Sequence, residues 1–119
     1  MPTVLIVEDV QTDREIYSNC LKDTDWQVLT VETGEEALER LKVNTPDAIV
    51  LDVVLPGLSG FEICRNIKNN AHTKNIPVVI CSTKKTDMDR FWGLKQGADF
   101  YLAKPVNRQE LISTLQKLV

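Results

Sequence analysis

Six residues in this chain put reactive or ligating groups directly after short apolar runs. Glu8 and Asp9 follow VLIV, Asp52 follows AIVL, Ser82 and Thr83 follow VVIC, and Lys104 follows FYLA. Asp52 is the least expected of them. The stretch IVLDVVLPG surrounds a single carboxylate with large aliphatic residues, and an uncompensated buried carboxylate is costly. If the runs are neighbouring strands, the three carboxylates crowd together and demand a cation at neutral pH. Hard oxygen ligands with free space beside them suit Mg²⁺, which keeps several waters and takes further ligands from a phosphate. A lysine and a hydroxyl facing the same spot suit phosphoryl oxygens. Asp52 therefore reads as a solvent-reachable nucleophile beside a metal. Singly, each residue also has an ordinary reading: Glu8 and Asp9 can serve the following helix, and Lys104 can be solvated. The weight lies in four strand ends supplying compatible groups together.

The elements that must carry these groups alternate along the chain. Val4 to Val7 is a first strand, followed by a helix capped by Thr12 or Asp13 with Ile16, Tyr17, Cys20 and Leu21 inward. Trp26 to Val31 is a second strand. Thr33-Gly34 opens a helix carrying Ala37, Leu38 and Leu41, which Pro46 breaks. Ala48 to Leu51 is a third strand, and after Pro56-Gly57 the helix capped by Ser59 turns Phe61, Ile63, Cys64 and Ile67 inward. Val78 to Cys81 precedes a helix over 87–96 stopped by Gly97. Phe100 to Ala103 precedes a last helix through Leu111, Leu115 and Leu118. Strand–helix alternation implies a parallel sheet covered on both faces, and wholly apolar runs such as VLIV, AIVL and VVIC fit strands buried on both sides. The expected fold class is α/β: a flavodoxin-like, doubly wound five-stranded parallel sheet, (βα)5, with strand order 2-1-3-4-5 and its ligand beyond the carboxyl ends of the strands.

Composition sets limits on the rest. A chain of 119 residues, 43% hydrophobic and 26% charged, suits one globular domain spanning 1–119. The net charge of -3 gives no support to nucleic-acid binding. No apolar run approaches a membrane span, and the N-terminus lacks the basic start of a signal peptide. Cys20, Cys64 and Cys81 sit inside apolar periodic segments and read as free, buried thiols of a reducing cytoplasm. No cysteine or Cys/His spacing suggests zinc.

Glu8-Asp9, Asp52 with its LPGLSG turn, Ser82-Thr83 and Lys104-Pro105 fall at the spacing of response-regulator receiver domains, and the chain resembles that family over its whole length. The resemblance implies phosphoryl transfer from a histidine kinase, of the chemotaxis type, onto Asp52. It implies Mg²⁺, with Mn²⁺ as a substitute, bound by Asp9, Asp52 and the backbone carbonyl of Val54, with Glu8 acting through a metal-bound water. Lys104 would pair with the phosphoryl group, Ser82 would swing to hydrogen-bond it with Thr83 beside it in the same phosphoryl-binding pair, and Tyr101 would turn inward on activation. The Lys104-Pro105 bond is expected to be cis. The stretch DRFWGLKQGADFYLAKP is similar to stand-alone receivers of type IV pilus twitching and phototaxis systems. The last helix ends with the chain, so the expected output is binding to a downstream motility protein. The expected binding surface is formed by Arg90, Leu94 and Tyr101, on a monomer or a weak phosphorylation-dependent dimer. Such a module is not an enzyme beyond its own phosphorylation and dephosphorylation.

Alternatives stay open at this level. The same receiver could serve as a phosphate sink in a chemotaxis-like relay. An aspartyl-phosphate hydrolase of related fold would share Asp52 and Mg²⁺, but needs an acid two residues on, where this chain has Val54. A flavin or nucleotide binder needs a Gly-rich or Ser/Thr-rich loop after the first strand, and that loop reads EDVQTDR. His72, in the polar NNAHTKN segment, reads as a surface residue. Trp26 is expected to cover the sheet edge, and Trp92 fits either a helix-packing or a partner-binding role.

Overall fold

A computed structural model describes residues 1–119. Its strands are β1 (Thr3–Val7), β2 (Gln27–Val31), β3 (Ala48–Leu51), β4 (Val78–Ser82) and β5 (Phe100–Ala103), and its helices are α1 (Gln11–Leu21), α2 (Gly34–Leu41), α3 (Gly60–Asn69), α4 (Asp87–Lys95) and α5 (Arg108–Leu118). All strands are parallel, in the order β2-β1-β3-β4-β5. This is the doubly wound, flavodoxin-like α/β fold expected from the alternation.

Because successive strand side chains point to opposite faces, each buried strand feeds two cores. Val4, Ile6, Ala48, Val50, Val79, Cys81 and Leu102 pack with Tyr17, Leu21, Leu111 and Leu115 of α1 and α5. Leu5, Val7, Ile49, Leu51, Val78, Ile80 and Tyr101 pack with Ala37, Ile63 and Ile67 on the other side. Trp26 is buried in the α1/α5 core, just before β2 begins. All three cysteines are free and buried, and no helix is long and apolar enough to cross a membrane.

The helix starts depart from expectation in one instructive place. Ser59 and Thr33 accept from the amides of Glu62 and Glu36 as caps, but α1 begins after Val10 with no side-chain cap. Thr12 and Asp13 lie inside its first turn. Asp13, Tyr17, Cys20 and Leu21 follow one another at helical spacing, so Asp13 shares the inward line and is engaged elsewhere. That line leaves Ile16 on the shoulder of the helix, 41% exposed rather than in the core. Helix α2 ends at Leu41, well before Pro46, because the positions three and four beyond Leu41 are the polar Asn44 and Thr45 and the one apolar residue between, Val43, is exposed. Helix α4 is the other exception. It carries a capping box between Thr86 and Asp89 but buries only Gly93. Met88, Phe91, Trp92 and Leu94 all face solvent.

Candidate functional site

Alternation along the strands assembles the site. Glu8 continues the row of Val4 and Ile6, Asp52 that of Ala48 and Val50, and Lys104 that of Leu102. All three therefore emerge on the α1/α5 side at the carboxyl edge of the sheet. The edges are tied together there: the Asp52 amide donates to Val7 O at 3.2 Å, and the Lys104 amide donates to Ser82 O at 3.0 Å. Ser82 instead continues the row of Val78 and Ile80, on the side where Tyr101 packs.

The side chains meet at one ammonium. Lys104 Nζ donates to Glu8 Oε1 at 2.6 Å, Asp13 Oδ2 at 2.8 Å and Asp52 Oδ2 at 2.9 Å. Burial works against the charge of Lys104, but the bonds to Asp13, Glu8 and Asp52 outweigh it and hold its pKa above the ordinary lysine range. Burial pushes the Glu8 carboxyl up, and the Lys104 bond offsets only part of that rise. Glu8 is wholly buried and Asp52 nearly so, whereas Asp9 is exposed. The other oxygen of Asp52, Oδ1, accepts from the amides of Val53 at 2.6 Å and Val54 at 3.3 Å. Both carboxylate oxygens are thus oriented.

Gly60, at the start of α3, presses directly on this segment. Its amide donates to Val53 O at 2.9 Å, and a Cβ at this position would lie 1.9 Å from the carbonyl oxygen of Asp52. Only glycine permits that approach.

Glu8, Asp9 and Asp52 can offer one oxygen each within 4.8 Å of one another. With Asp13, four carboxylates converge on a region whose one close ammonium is that of Lys104. The excess negative charge and the all-oxygen donor set fit a divalent cation.

The remaining expected residues lie around this centre. Ser82 is fully buried, and its Oγ accepts from the Lys84 amide at 3.2 Å. Thr83 is exposed. Tyr101 is already inward: it is buried, its hydroxyl donates to Lys84 O, and a Cβ on Gly93 would lie 2.7 Å from its ring. Gly93 leaves room for the ring on that side. Arg90 donates to Tyr101 O at 3.2 Å and lies 5.6 Å from the Tyr101 ring centroid. Leu94 is exposed on the same helix. Val54 is exposed, His72 is exposed in its loop, and the Lys104-Pro105 bond is cis. Asp13 is the residue that sequence reasoning placed elsewhere. Its spacing of four from Tyr17 was the available signal, since it sets Asp13 on the inward line of α1.

Comparison with known proteins agrees with this geometry. The family model for the response regulator receiver domain matches residues 4–116. Protein PilH of Pseudomonas aeruginosa is 36% identical over 119 residues, covering 100% of this chain and 98% of PilH. The chain spans about half the length of several other curated relatives it matches. Among solved structures, chemotaxis response regulator CheY4 of Vibrio cholerae superposes with a TM-score of 0.91 at 31% identity, covering 100% of this chain and 99% of that one. The receiver domain of sensor histidine kinase PA1611 from Pseudomonas aeruginosa, which holds a magnesium ion in its active-site cleft, gives 0.90 at 29% identity, with 98% and 96% covered.

Proposed function

Since this chain belongs to the response regulator receiver domain family, we propose that Asp52 accepts a phosphoryl group from the phosphohistidine of a histidine kinase, and that a protein partner reads the product. The observation that carries this reading is the convergence on Lys104 Nζ of Asp52 and Glu8, with Asp9 within metal-sharing reach of both. Receiver domains are signalling modules of two-component systems, and the chemistry here is done on the chain itself.

In the proposed transfer an Asp52 carboxylate oxygen forms a phosphorus–oxygen bond as the phosphorus–nitrogen bond of the donor breaks. The imidazole leaves with the electron pair and regains its proton from solvent. The Val53 and Val54 amides fix the Asp52 carboxylate against rotation, which removes an orientational cost from the encounter. Lys104 is already charged beside Asp52 and would pair with the phosphoryl oxygens by exchanging one of its carboxylate contacts for them. Asp9, Asp52 and the Val54 carbonyl would hold Mg²⁺, or Mn²⁺, with Glu8 acting through a bound water. The cation would supply charge neutralisation at the transferring group. Ser82 is the hydroxyl that would turn to the phosphoryl group, Thr83 being exposed beside it.

Release of Ser82 from the Lys84 amide would free the loop before α4, and the surface carrying Arg90 and Leu94, with Tyr101 buried beneath it rather than exposed on it, would change with it. The 36% identity to PilH across both chains and the likeness to CheY4 support a role in motility signalling. They also support a chemotaxis-type kinase upstream and a downstream motility protein, in the cytoplasm. Intact mass after incubation with acetyl phosphate and Mg²⁺ tests the reading: the wild type gains one phosphoryl mass and Asp52→Asn gains none. Equal gain in both proteins would place the chemistry elsewhere.

A further inference from the structure

We propose that Asp13 is a positioning residue that holds Lys104 in the unmodified pocket and raises the concentration of phosphoryl group, or phosphoryl mimic, needed to convert the site. The proposal rests on the reading of Asp52 given above and deepens it. An ammonium has three protons to donate, and Lys104 spends them on Glu8, Asp13 and Asp52. Two of those acceptors have other duties, since Glu8 and Asp52 belong to the set that can share a metal. Asp13 does not belong to it, and its side chain makes no other polar contact. Its one engagement is Lys104.

The exposures show how such a hold can yield. The side chains of Glu8 and Asp52 are 0% and 7% exposed, whereas that of Asp13 is 29% exposed. When Lys104 turns toward an arriving anion, water can replace it at Asp13 but not at Glu8. The Asp13 contact is therefore the one most readily exchanged. Until it is exchanged, a full negative charge beside Lys104 repels the incoming phosphoryl group and competes for the ammonium. The contact also spans two elements, α1 and the end of β5, so it ties the first turn of α1 to the lysine that must move.

Two measurements test this. The first uses metal-free protein and reads the Lys104 side-chain ammonium by ¹H–¹⁵N correlation. The wild type is expected to show Nζ–Hζ protons protected from water exchange, Asp13→Ala to lose that protection, and Asp13→Glu to keep it. Equal exchange in wild type and Asp13→Ala would overturn the hold. The second titrates beryllofluoride into Mg²⁺-saturated protein. Asp13→Asn keeps the shape and loses the charge, so half-conversion is expected at a concentration about threefold lower or less, the effect of one partly exposed charge. Asp13→Glu should return to the wild-type value, and Glu15→Gln, an exposed acid on the same helix, should not differ from it. An unchanged or higher half-conversion concentration for Asp13→Asn overturns the proposal. If the wild type takes up no beryllofluoride, the reading of Asp52 fails, and the ammonium measurement still decides whether Asp13 holds Lys104.

Discussion

Ser82 and Tyr101 grip opposite ends of one residue: the Ser82 hydroxyl accepts from the Lys84 amide, and the Tyr101 hydroxyl donates to the Lys84 carbonyl. A change at the Ser82 hydroxyl and a change at the aromatic ring therefore act on the same short piece of backbone.

Removing either grip should loosen the loop before α4 without disturbing the sheet. Tyr101→Phe keeps the ring against Gly93 and loses the hydroxyl, at a cost of about 1 kcal/mol, the net value of one hydrogen bond. Urea unfolding reads that loss. Ser82→Ala should speed hydrogen exchange at the Lys84 amide severalfold while β4 amides stay protected. Unchanged exchange at Lys84 would show that the hydroxyl does not hold it.

Lys104 is the counter-charge for two buried carboxylates, so its loss should be severe and metal-dependent. Lys104→Met leaves Glu8 and Asp52 facing each other uncompensated, and breaking such a buried pair costs about 3–5 kcal/mol. In chelator the variant should unfold at much lower urea than the wild type. Mg²⁺ should stabilise it more than it stabilises the wild type, because a cation can take the place of the ammonium. Equal Mg²⁺ stabilisation of the two proteins would argue against a shared carboxylate site.

Gly60→Ala tests whether close packing of α3 sets the geometry of Asp52. The added methyl would meet a backbone carbonyl at 1.9 Å, and forced overpacking of this kind costs about 1–3 kcal/mol. The phosphorylation rate with acetyl phosphate should fall further than that of a surface variant of equal stability, since the displaced atom belongs to Asp52 itself. A rate that tracks stability alone would confine Gly60 to packing.

The buried thiols set an alkaline limit. Burial pushes Cys64 and Cys81 up to about 11 and Tyr101 up to about 12, from 9.0 and 10.0. The folded state holds these protons more tightly than the unfolded chain, so the thiol contribution is complete below pH 9.0 and lost as pH rises through about 11, and that of Tyr101 is complete below pH 10.0 and lost through about 12. Urea midpoints should decline across that window, and Cys64→Ala with Cys81→Ala should flatten the decline. At pH 8 a thiol reagent should modify native Cys64 and Cys81 slowly and all three cysteines quickly once unfolded.

Most of the architecture was legible because VLIV, AIVL, VVIC and FYLA are continuous apolar runs bounded by residues that stop them. Glu8, Asp52 and Lys104 were legible for the same reason: each is the first polar side chain after such a run. Asp13 was not, because an acid in a first helical turn looks like a cap, and local spacing does not show the lysine at position 104 that it meets. The orientation of Trp92 was also hidden. It follows from Gly93, which lets α4 sit against Tyr101 with its smallest residue and turns its large apolar side chains to solvent. The inward setting of Tyr101 has the same origin.

The alternation of side chains along the strands has a consequence for how such a molecule can diverge. Glu8, Asp52 and Lys104 emerge on the side of α1 and α5, while Tyr101 and α4 lie across the sheet, a wall one backbone thick. Substitutions on the outer surface of α4 touch none of the residues that handle charge, and substitutions around Glu8 and Asp13 do not alter what α4 displays. The outer face of α4 can therefore vary while the Lys104 cluster stays as it is, provided that Ser82, at the seam between the two sides, is kept.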